Sequence, residues 1–422
     1  MISVDNEYHL NLNLDELSIT EKSTTNPVIV KEYKYKNSVY KIIKYNKPVY
    51  NEMDFDEKLK YLNLRSCILL NNNLVVFSPP KSIDFNKFTE LFQTEDSYSE
   101  DFIDGTMINL FYNNESSEWT ISTRSAVGGN NRFYDDCQTI KTDFNINKYN
   151  ISFRELFYDT CKVINFNPHN LPKEYSYCFV VQHPLNRIVT PVSVPQIYLV
   201  KIVEIFKINM DLDIDGYNNN TLQFNIKNIN LQSFYEIYFN LFNNSYISFP
   251  KRYNIENFNN IYNYFTNQEC PYYLVGTIIY NKSGIRSKIR NPNYNNVKLL
   301  RGNHPKLQYN FLCLKRDNKI REFLNYYPEH YESFEKYRTM TFEYTNNLYK
   351  CYVSCYIYKQ QELKKFPFEY KTHMFKLHKM YKDKLKNQKR VVDKKIVIDY
   401  VNNLHPAQQM FVINYSNYNN NS

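Results

Sequence analysis

The sequence predicts an α+β protein in which antiparallel sheets precede a basic, mostly helical C-terminal region. Two β-rich runs, 106–112 and 119–123, flank the turn-forming residues 113–117, which indicates an antiparallel hairpin. The apolar, β-branched runs 177–181 and 197–205 are typical of buried strands. After about residue 301 the apolar residues recur every three or four positions, which is the period of a helix.

Shorter patterns predict the remaining elements. A polar helix is expected over 53–62, and Pro79-Pro80 is expected to end a strand because proline cannot donate to a strand ladder. The Asn-rich stretch 206–268 has no pattern that predicts its structure. Further strands are predicted for 28–30, 39–43, 74–77, 274–280 and 286–290.

The clearest helix of the C-terminal region follows Pro367. Its apolar residues Met374, Leu377, Tyr381 and Leu385 recur at spacings of three and four, and lysine and histidine occupy the other face. A chain of 422 residues is long enough for two or three domains. We divide it into an N-terminal extension packed on the core (1–60), a core domain (61–300) and a basic helical domain (301–422).

Positive charge is concentrated at the C-terminal end of the chain. Of the net charge of +9, residues 301–422 contribute +11 and the first 300 residues −2; the segment 371–390 alone carries +7. Such a distribution predicts a polyanionic partner, whereas the alternative is a solvated lysine-rich helix face. The residues expected to grip RNA phosphates are Lys371, Lys376, Lys379, Lys382, Lys384, Lys386, Lys389 and Arg390.

Cysteine usage and hydropathy predict the compartment. The eight cysteines form no CxxC pair and no metal-ligand spacing with histidine, so we predict no metal site and a reducing, intracellular location. The first ten residues lack the features of a signal peptide, and no apolar run approaches the roughly 18 residues of a membrane span. The expected location is the cytoplasm, or a host cytoplasm or virion for a viral protein.

A series of short motifs between residues 60 and 300 resembles a known family. In order they are Arg65, the Pro-Pro-Lys-Ser string at 79–82, Phe-Ile-Asp-Gly-Thr at 102–106, Arg124 before Gly128-Gly129, Pro-Leu-Asn-Arg-Ile-Val at 184–189, Gly276, and Arg-Ser-Lys-Ile-Arg at 286–290. This series is similar to the adenylyltransferase domain of phage-type, tRNA-repair RNA ligases. The string at 184–189 is its most specific part, because an Asp-Gly pair alone is common.

The resemblance implies both a fold and a chemistry. It implies an antiparallel-sheet nucleotidyltransferase core followed by a helical domain. In that family a lysine attacks the α-phosphate of ATP, and the adenylate passes to an RNA 5′-phosphate before a 3′-hydroxyl displaces it. ATP and Mg²⁺ are the cofactors implied for an active member. The nucleotide- or phosphate-binding residues implied are Arg65, Asp104, Gly105, Arg124, Lys288 and Arg290.

Three substitutions depart from the family pattern. Phe102 stands where the nucleophilic lysine is expected, and a phenyl ring cannot form a phosphoramidate. Val180 and Val275 stand where two carboxylates are expected. Asp104 is retained, but no residue is predicted to be catalytic. The ring of Phe102 is expected to fill the former adenylate pocket; the alternative is that it stacks on a base.

Three hypotheses follow for the function. The first is a catalytically degenerate, RNA-ligase-like protein that binds RNA and a nucleotide without ligating. The second is an active ATP-dependent RNA ligase with a rearranged site, in which Lys81 or Lys87 replaces the lost nucleophile. The third is a non-enzymatic structural or assembly protein, of the kind expected in a large DNA virus, that uses the fold as a scaffold.

Overall fold

The computed structural model describes residues 2–13, 25–133, 151–208 and 221–415. These residues form two compact units: residues up to 133 together with 151–298 make the first, and residues from 299 onward make the second. The first unit contains all the strands and the second is helical, so the predicted α+β class with antiparallel sheets is confirmed.

Fifteen strands belong to the first unit. They are β1 (Val4–Asn13), β2 (Val28–Tyr35), β3 (Ser38–Tyr45), β4 (Cys67–Leu70), β5 (Asn73–Phe77), β6 (Ser97–Asp101), β7 (Thr106–Asn113), β8 (Glu118–Thr123), β9 (Ala126–Val127), β10 (Tyr175–Gln182), β11 (Gln196–Ile208), β12 (Thr221–Ile229), β13 (Arg252–Asn254), β14 (Gly276–Asn281) and β15 (Arg286–Arg290).

The strands form three antiparallel sheets. The largest has seven strands in the order β1-β12-β11-β10-β7-β8-β9, and the other two have the orders β13-β6-β14-β15 and β2-β3-β4-β5. The predicted hairpin is the β7–β8 pair, in which Leu110 lies opposite Ile121. The first strand alternates buried and exposed residues and pairs with β12, so residues of the predicted N-terminal extension supply an edge of the large sheet.

Seven α-helices pack around these sheets. They are α1 (Lys47–Glu52), α2 (Phe55–Tyr61), α3 (Phe85–Leu91), α4 (Phe153–Val163), α5 (Leu231–Ile237), α6 (Phe239–Phe242) and α7 (Phe258–Thr266). A capping box begins α4, in which Ser152 Oγ accepts from the Glu155 amide and the Glu155 carboxylate accepts from the Ser152 amide. The segment without a readable pattern contains β12, β13 and α5–α7; its residues 209–220 lie outside the described residues.

The core of the first unit lies on both faces of the seven-stranded sheet. One cluster joins that sheet to α4 and α5, with Phe157, Phe179 and Phe234 fully buried. A second joins it to the β2–β5 sheet through residues such as Phe77 and Phe224. A third covers the β13-β6-β14-β15 sheet with α3 and α7. The strands that carry the candidate site are therefore held on a packed scaffold.

The remaining helices are α8 (Pro292–Arg301), α9 (Leu307–Arg316), α10 (Ile320–Tyr326), α11 (Tyr331–Tyr352), α12 (Phe368–Met380), α13 (Lys394–Asn402) and α14 (Pro406–Ile413). The helix predicted after Pro367 is α12 with the turn that follows it. Met374, Leu377 and Leu385 are buried in the core of the second unit, and Tyr381 packs against that core, as their spacing predicted.

No helix in the described part of the chain is long and apolar enough to cross a membrane. The seven cysteines among the described residues are free thiols.

Candidate phosphate-binding cleft and aromatic cavity

The loop between β6 and β7, residues 102–105, is held in place by the carboxylate of Asp104. One carboxylate oxygen accepts hydrogen bonds from the amides of Val189 and Thr190, both at 2.9 Å, and the other accepts from the Tyr294 hydroxyl at 2.6 Å. Gln182 Nε2 donates to the Asp104 carbonyl at 2.8 Å. Asp104 lies at the predicted site, but these bonds give its carboxylate a structural role there.

The two predicted motifs at 102–106 and 184–189 are therefore in direct contact. Besides the bonds to Asp104, Asn186 Nδ2 donates to the Thr106 hydroxyl at 2.8 Å. Gly105 has φ +145°, and a Cβ at this position would lie 2.5 Å from the Val181 carbonyl oxygen, so only glycine is accommodated. The sequence order alone did not predict that these motifs bond to each other.

Six cationic side chains repel one another electrostatically, and four of them, which are also predicted binding residues, lie at this loop. We refer to them as the cation cluster: Arg65, Lys81, Arg124, Arg286, Lys288 and Arg290. Phe102 lies against two of its members, with Lys288 Nζ 4.9 Å and the Arg290 guanidinium carbon 5.3 Å from the ring centroid. These are cation–π distances. A lysine at position 102 would add a further cation between them.

The cation cluster forms no ion pair within the described residues, although the Glu100 carboxylate, which is paired with Arg252, acts on Arg286 at longer range. Arg286 donates to the carbonyls of Pro80 at 2.6 Å and Pro79 at 3.2 Å and to the Tyr280 hydroxyl at 3.3 Å, and Arg65 donates to the Pro79 carbonyl at 3.4 Å. The Pro79-Pro80 pair thus ends β5 and also orients two arginines.

The electrostatics of the cluster are unfavourable in the absence of an anion. Burial, followed by repulsion from Arg286, Arg65, Arg290 and Lys81, lowers the pKa of Lys288 to about 5. Burial and neighbouring cations, Arg65 first among them, also lower the pKa of Lys81. A phosphate placed among these groups would remove the repulsion and favour the protonated form of both lysines.

An aromatic cavity of about 730 Å³ adjoins the cluster. Phe102 and Val275 line it, together with Tyr198 of β11, Tyr253 of β13 and Tyr264 of α7. Its size lies within the usual range for small-molecule sites. Because Phe102 both lines the cavity and contacts Lys288 and Arg290, the aromatic and cationic regions are continuous. The Phe102 ring therefore forms part of the cavity wall and does not fill the cavity.

A second, smaller cavity of about 370 Å³ lies on the other side of the same loop. Arg65 and Arg124 line it, along with Gly105 and Thr106. The hydroxyl of Ser78 is buried there and has no hydrogen-bond partner within the described part of the chain. Buried polar atoms are normally hydrogen-bonded, so this hydroxyl is an exception beneath the surface of the cavity.

The positions that lack the family's carboxylates are apolar and buried. Val180 lies in the centre of β10 and Val275 precedes β14, with 6% and 5% of their surfaces exposed. Among the described residues, no group of three or more histidine, cysteine, aspartate or glutamate side chains is arranged to hold a metal ion. The cation cluster therefore offers positive charge to a ligand, and the adjoining cavity offers aromatic rings together with Asp101.

The two lysines considered as replacement nucleophiles lie in different surroundings. Lys81 belongs to the cation cluster. Lys87 lies on α3, where it forms an ion pair with Glu90 at 3.0 Å and contacts the Phe55 ring. Only Lys81 is therefore placed to meet a ligand of the cluster.

The predicted RNA-binding residues lie in the second unit. Lys371, Lys376 and Lys379 project from α12, and the others follow on the turn that extends it and on residues 386–390. All are exposed except Lys371, which is partly exposed, and within the described part of the chain none forms an ion pair.

Sequence reasoning missed two parts of the site. It did not single out Arg286, whose side chain is only 2% exposed and orients the cluster from within the protein. It also missed the aromatic wall from α7, where Ile261, Tyr264 and Phe265 are spaced as on one helix face. That spacing was a usable signal, but the high frequency of tyrosine, asparagine and phenylalanine in the chain obscured it.

No protein-family model matches this chain, and no curated protein is similar to it.

Proposed function

We propose that this protein is an RNA-ligase-like protein with the nucleotidyltransferase fold that binds RNA and a nucleotide but does not catalyse ligation. The observation that carries the proposal is the cation cluster: six basic side chains from separate segments interact with one another, and within the described residues none of them forms an ion pair with a carboxylate. Concentrated, unpaired positive charge is the arrangement expected of a site whose ligand is a polyanion.

The aromatic cavity supports a nucleotide as part of the ligand. A base would stack against tyrosine side chains such as Tyr198 and Tyr264, and its phosphates would reach past Phe102 to Lys288 and Arg290. The loss of catalysis is supported by Phe102, Val180 and Val275. The phenyl ring supplies no nucleophile, and the two valines supply no metal ligand.

A binding comparison between two lysines tests the proposal. Lys81→Ala removes a member of the cation cluster, whereas the control Lys87→Ala removes a lysine that is paired with Glu90. We expect Lys81→Ala to weaken binding of a labelled RNA several-fold and to lower the slope of log affinity against log salt by about 1. Lys87→Ala should leave both quantities unchanged. Equal behaviour of the two variants, or no RNA binding by the unmodified protein at low salt, would contradict the proposal.

One observation favours the alternative of an active ligase with a relocated nucleophile. Burial and neighbouring cations lower the pKa of Lys288 to about 5, which favours a neutral, nucleophilic amine as long as no phosphate offsets the repulsion. Attack by this amine would form an N–P bond to the α-phosphate, release pyrophosphate and transfer the amine proton to solvent.

A labelling experiment separates the two functions. Incubation with α-labelled ATP, and separately GTP, in Mg²⁺ or Mn²⁺ is followed by a denaturing gel. We expect no covalent label, because no lysine stands at position 102. An acid-labile protein label that disappears in Lys288→Met or Lys81→Met would instead establish the active ligase and identify its nucleophile.

A further inference from the structure

The exposed face of α12 carries an aromatic ring among lysines. Phe375 is 57% exposed, although a phenylalanine side chain gains free energy when it is buried. Neither an aromatic ring nor a cation covers its faces within the described residues. Lys371 and Lys379 lie one turn to either side of it on the same helix, and Lys376 is its neighbour in sequence.

A second exposed ring lies two turns away on the same face. Phe368 begins α12, is 59% exposed and stacks on Tyr415 with 5.3 Å between ring centroids. Phe375 lies seven positions further along α12, a distance of roughly 10 Å along the helix. The two rings follow one stripe of α12, and Lys382 comes after it on the π-helical turn Tyr381–Leu385.

We propose that this stripe of α12 binds a single strand of nucleic acid, with the Phe375 ring stacked on a base and the surrounding lysines in contact with the phosphates. The nature of the partner rests on the proposed RNA-binding function. The stripe makes that function more specific, because it distinguishes single strands from duplexes. Lysines alone bind the phosphates of both, whereas stacking requires bases that are not paired.

The packing of α12 argues against an anionic membrane as the occupant. Helices that lie in a membrane interface bury a continuous apolar face in the lipid. The apolar face of α12 is already buried in the protein, since Met374 and Leu377 are both 0% exposed. What remains outside is isolated aromatic rings among lysines, which is the pattern of single-strand binding proteins.

The decisive variant is Phe375→Ala, with Phe342→Ala as its control. Phe342 lies on α11, is 58% exposed and is outside the segment 371–390, and its ring is covered by Lys394 at 5.3 Å. With a labelled oligo(U) RNA we expect Phe375→Ala to lose about fivefold to a hundredfold in affinity. The salt slope should stay the same because no phosphate contact is removed. Phe375→Trp should restore the affinity, and Phe342→Ala should bind like the unmodified protein.

The other outcomes are distinguishable. If the unmodified protein does not bind oligo(U) RNA at low salt, the RNA-binding function and the stripe both fail. If it binds, but Phe375→Ala binds equally well, only the stripe is wrong. An equal loss of affinity for duplex RNA would also overturn stacking. Binding to phosphatidylserine vesicles that depends on Phe375, with RNA binding unaffected, would replace the strand by a membrane. An oligo(dT) probe tells whether the strand can be DNA.

Discussion

Lys201 is a charged residue in the interior of the first unit. It lies on β11 with 6% of its surface exposed, and its amine is 4.4 Å from the centroid of the Tyr8 ring and 5.0 Å from that of Phe77. Burial is the main reason that its pKa is lowered to about 7, and the positive charge of Arg286 acts in the same direction. In the unfolded chain the same amine has its ordinary value of 10.5.

This difference predicts how stability depends on pH. Below pH 7 the amine is protonated in both states and the folded protein bears the full cost of a buried charge. Between pH 7 and 10.5 only the unfolded state binds the proton, so the free energy of unfolding rises with pH. We expect Lys201→Met to stabilise the protein by roughly 1–3 kcal/mol at pH 6 and to flatten this rise.

Urea unfolding across this pH range measures the effect. Lys207→Met is the control, because Lys207 lies exposed on the same strand and its replacement should change neither the stability nor its pH dependence. A Lys201→Met protein that is less stable at pH 6 would mean that contacts with Tyr8 and Phe77 outweigh the cost of burial.

Lys288 shows how a ligand would change a single residue. Its lowered pKa comes from burial and from cations alone. A bound phosphate would raise that pKa again, so the amine would gain a proton as it gained a partner.

Among the elements, the loop between β6 and β7 depends most on one side chain. The Asp104 carboxylate joins this loop to the segment after β10 and to Tyr294 of α8. The loop lines both cavities of the site, so its position determines their shapes. Asp104 therefore affects the site indirectly, because its hydrogen bonds fix the position of the loop backbone.

Substitution of Asp104 tests this role. Asp104→Asn replaces one accepting oxygen by an NH₂ group that faces donors, and hydrogen bonds to a charged group are worth roughly 1.5–3 kcal/mol. We expect the free energy of unfolding to fall by about 2 kcal/mol, and by about 1 kcal/mol for Tyr294→Phe, which removes the hydroxyl that donates to Asp104. Thermal or urea unfolding provides the measurement.

Asp96→Asn is the matched control, because Asp96 is exposed and its ion pair with Lys282 lies on the surface. Surface pairs contribute little, so the change should be under about 0.5 kcal/mol. If Asp104→Asn were as mild as this control, the carboxylate would not be what holds the loop.

The elements also differ in how readily the sequence predicts them. The β7–β8 hairpin and the burial of Met374 and Leu377 follow from local patterns, a period of two with a turn and a period of three to four. The first strand could not be paired with β12 from sequence, because more than 200 residues separate Val4 from Ile229. Strand pairings between residues so far apart in the sequence depend on how the whole sheet assembles.

At the scale of the whole molecule, unpaired positive charge is collected in two places. In the first unit it lies in the cation cluster, and in the second it lies on an exposed helix and the turn that follows. The net charge of the first 300 residues is slightly negative, so the amino-acid composition of this part of the chain does not indicate the cation cluster. Only the second site was visible as a run of like charge.

The sequence by itself determined the class of fold, the helical C-terminal region and the residue types available for phosphate binding. Those features follow from the spacing of apolar residues, from the positions of turn-forming residues and from the net charge of each segment. The tertiary structure decided which of those residues meet. It brings Arg65 and Lys81 close to Lys288. It engages the Asp104 carboxylate in hydrogen bonds with backbone amides, and it places Phe102 between the aromatic cavity and the cation cluster. The physical reason is that charge and stacking act through space, and residues from separate strands become neighbours only when the sheets pack.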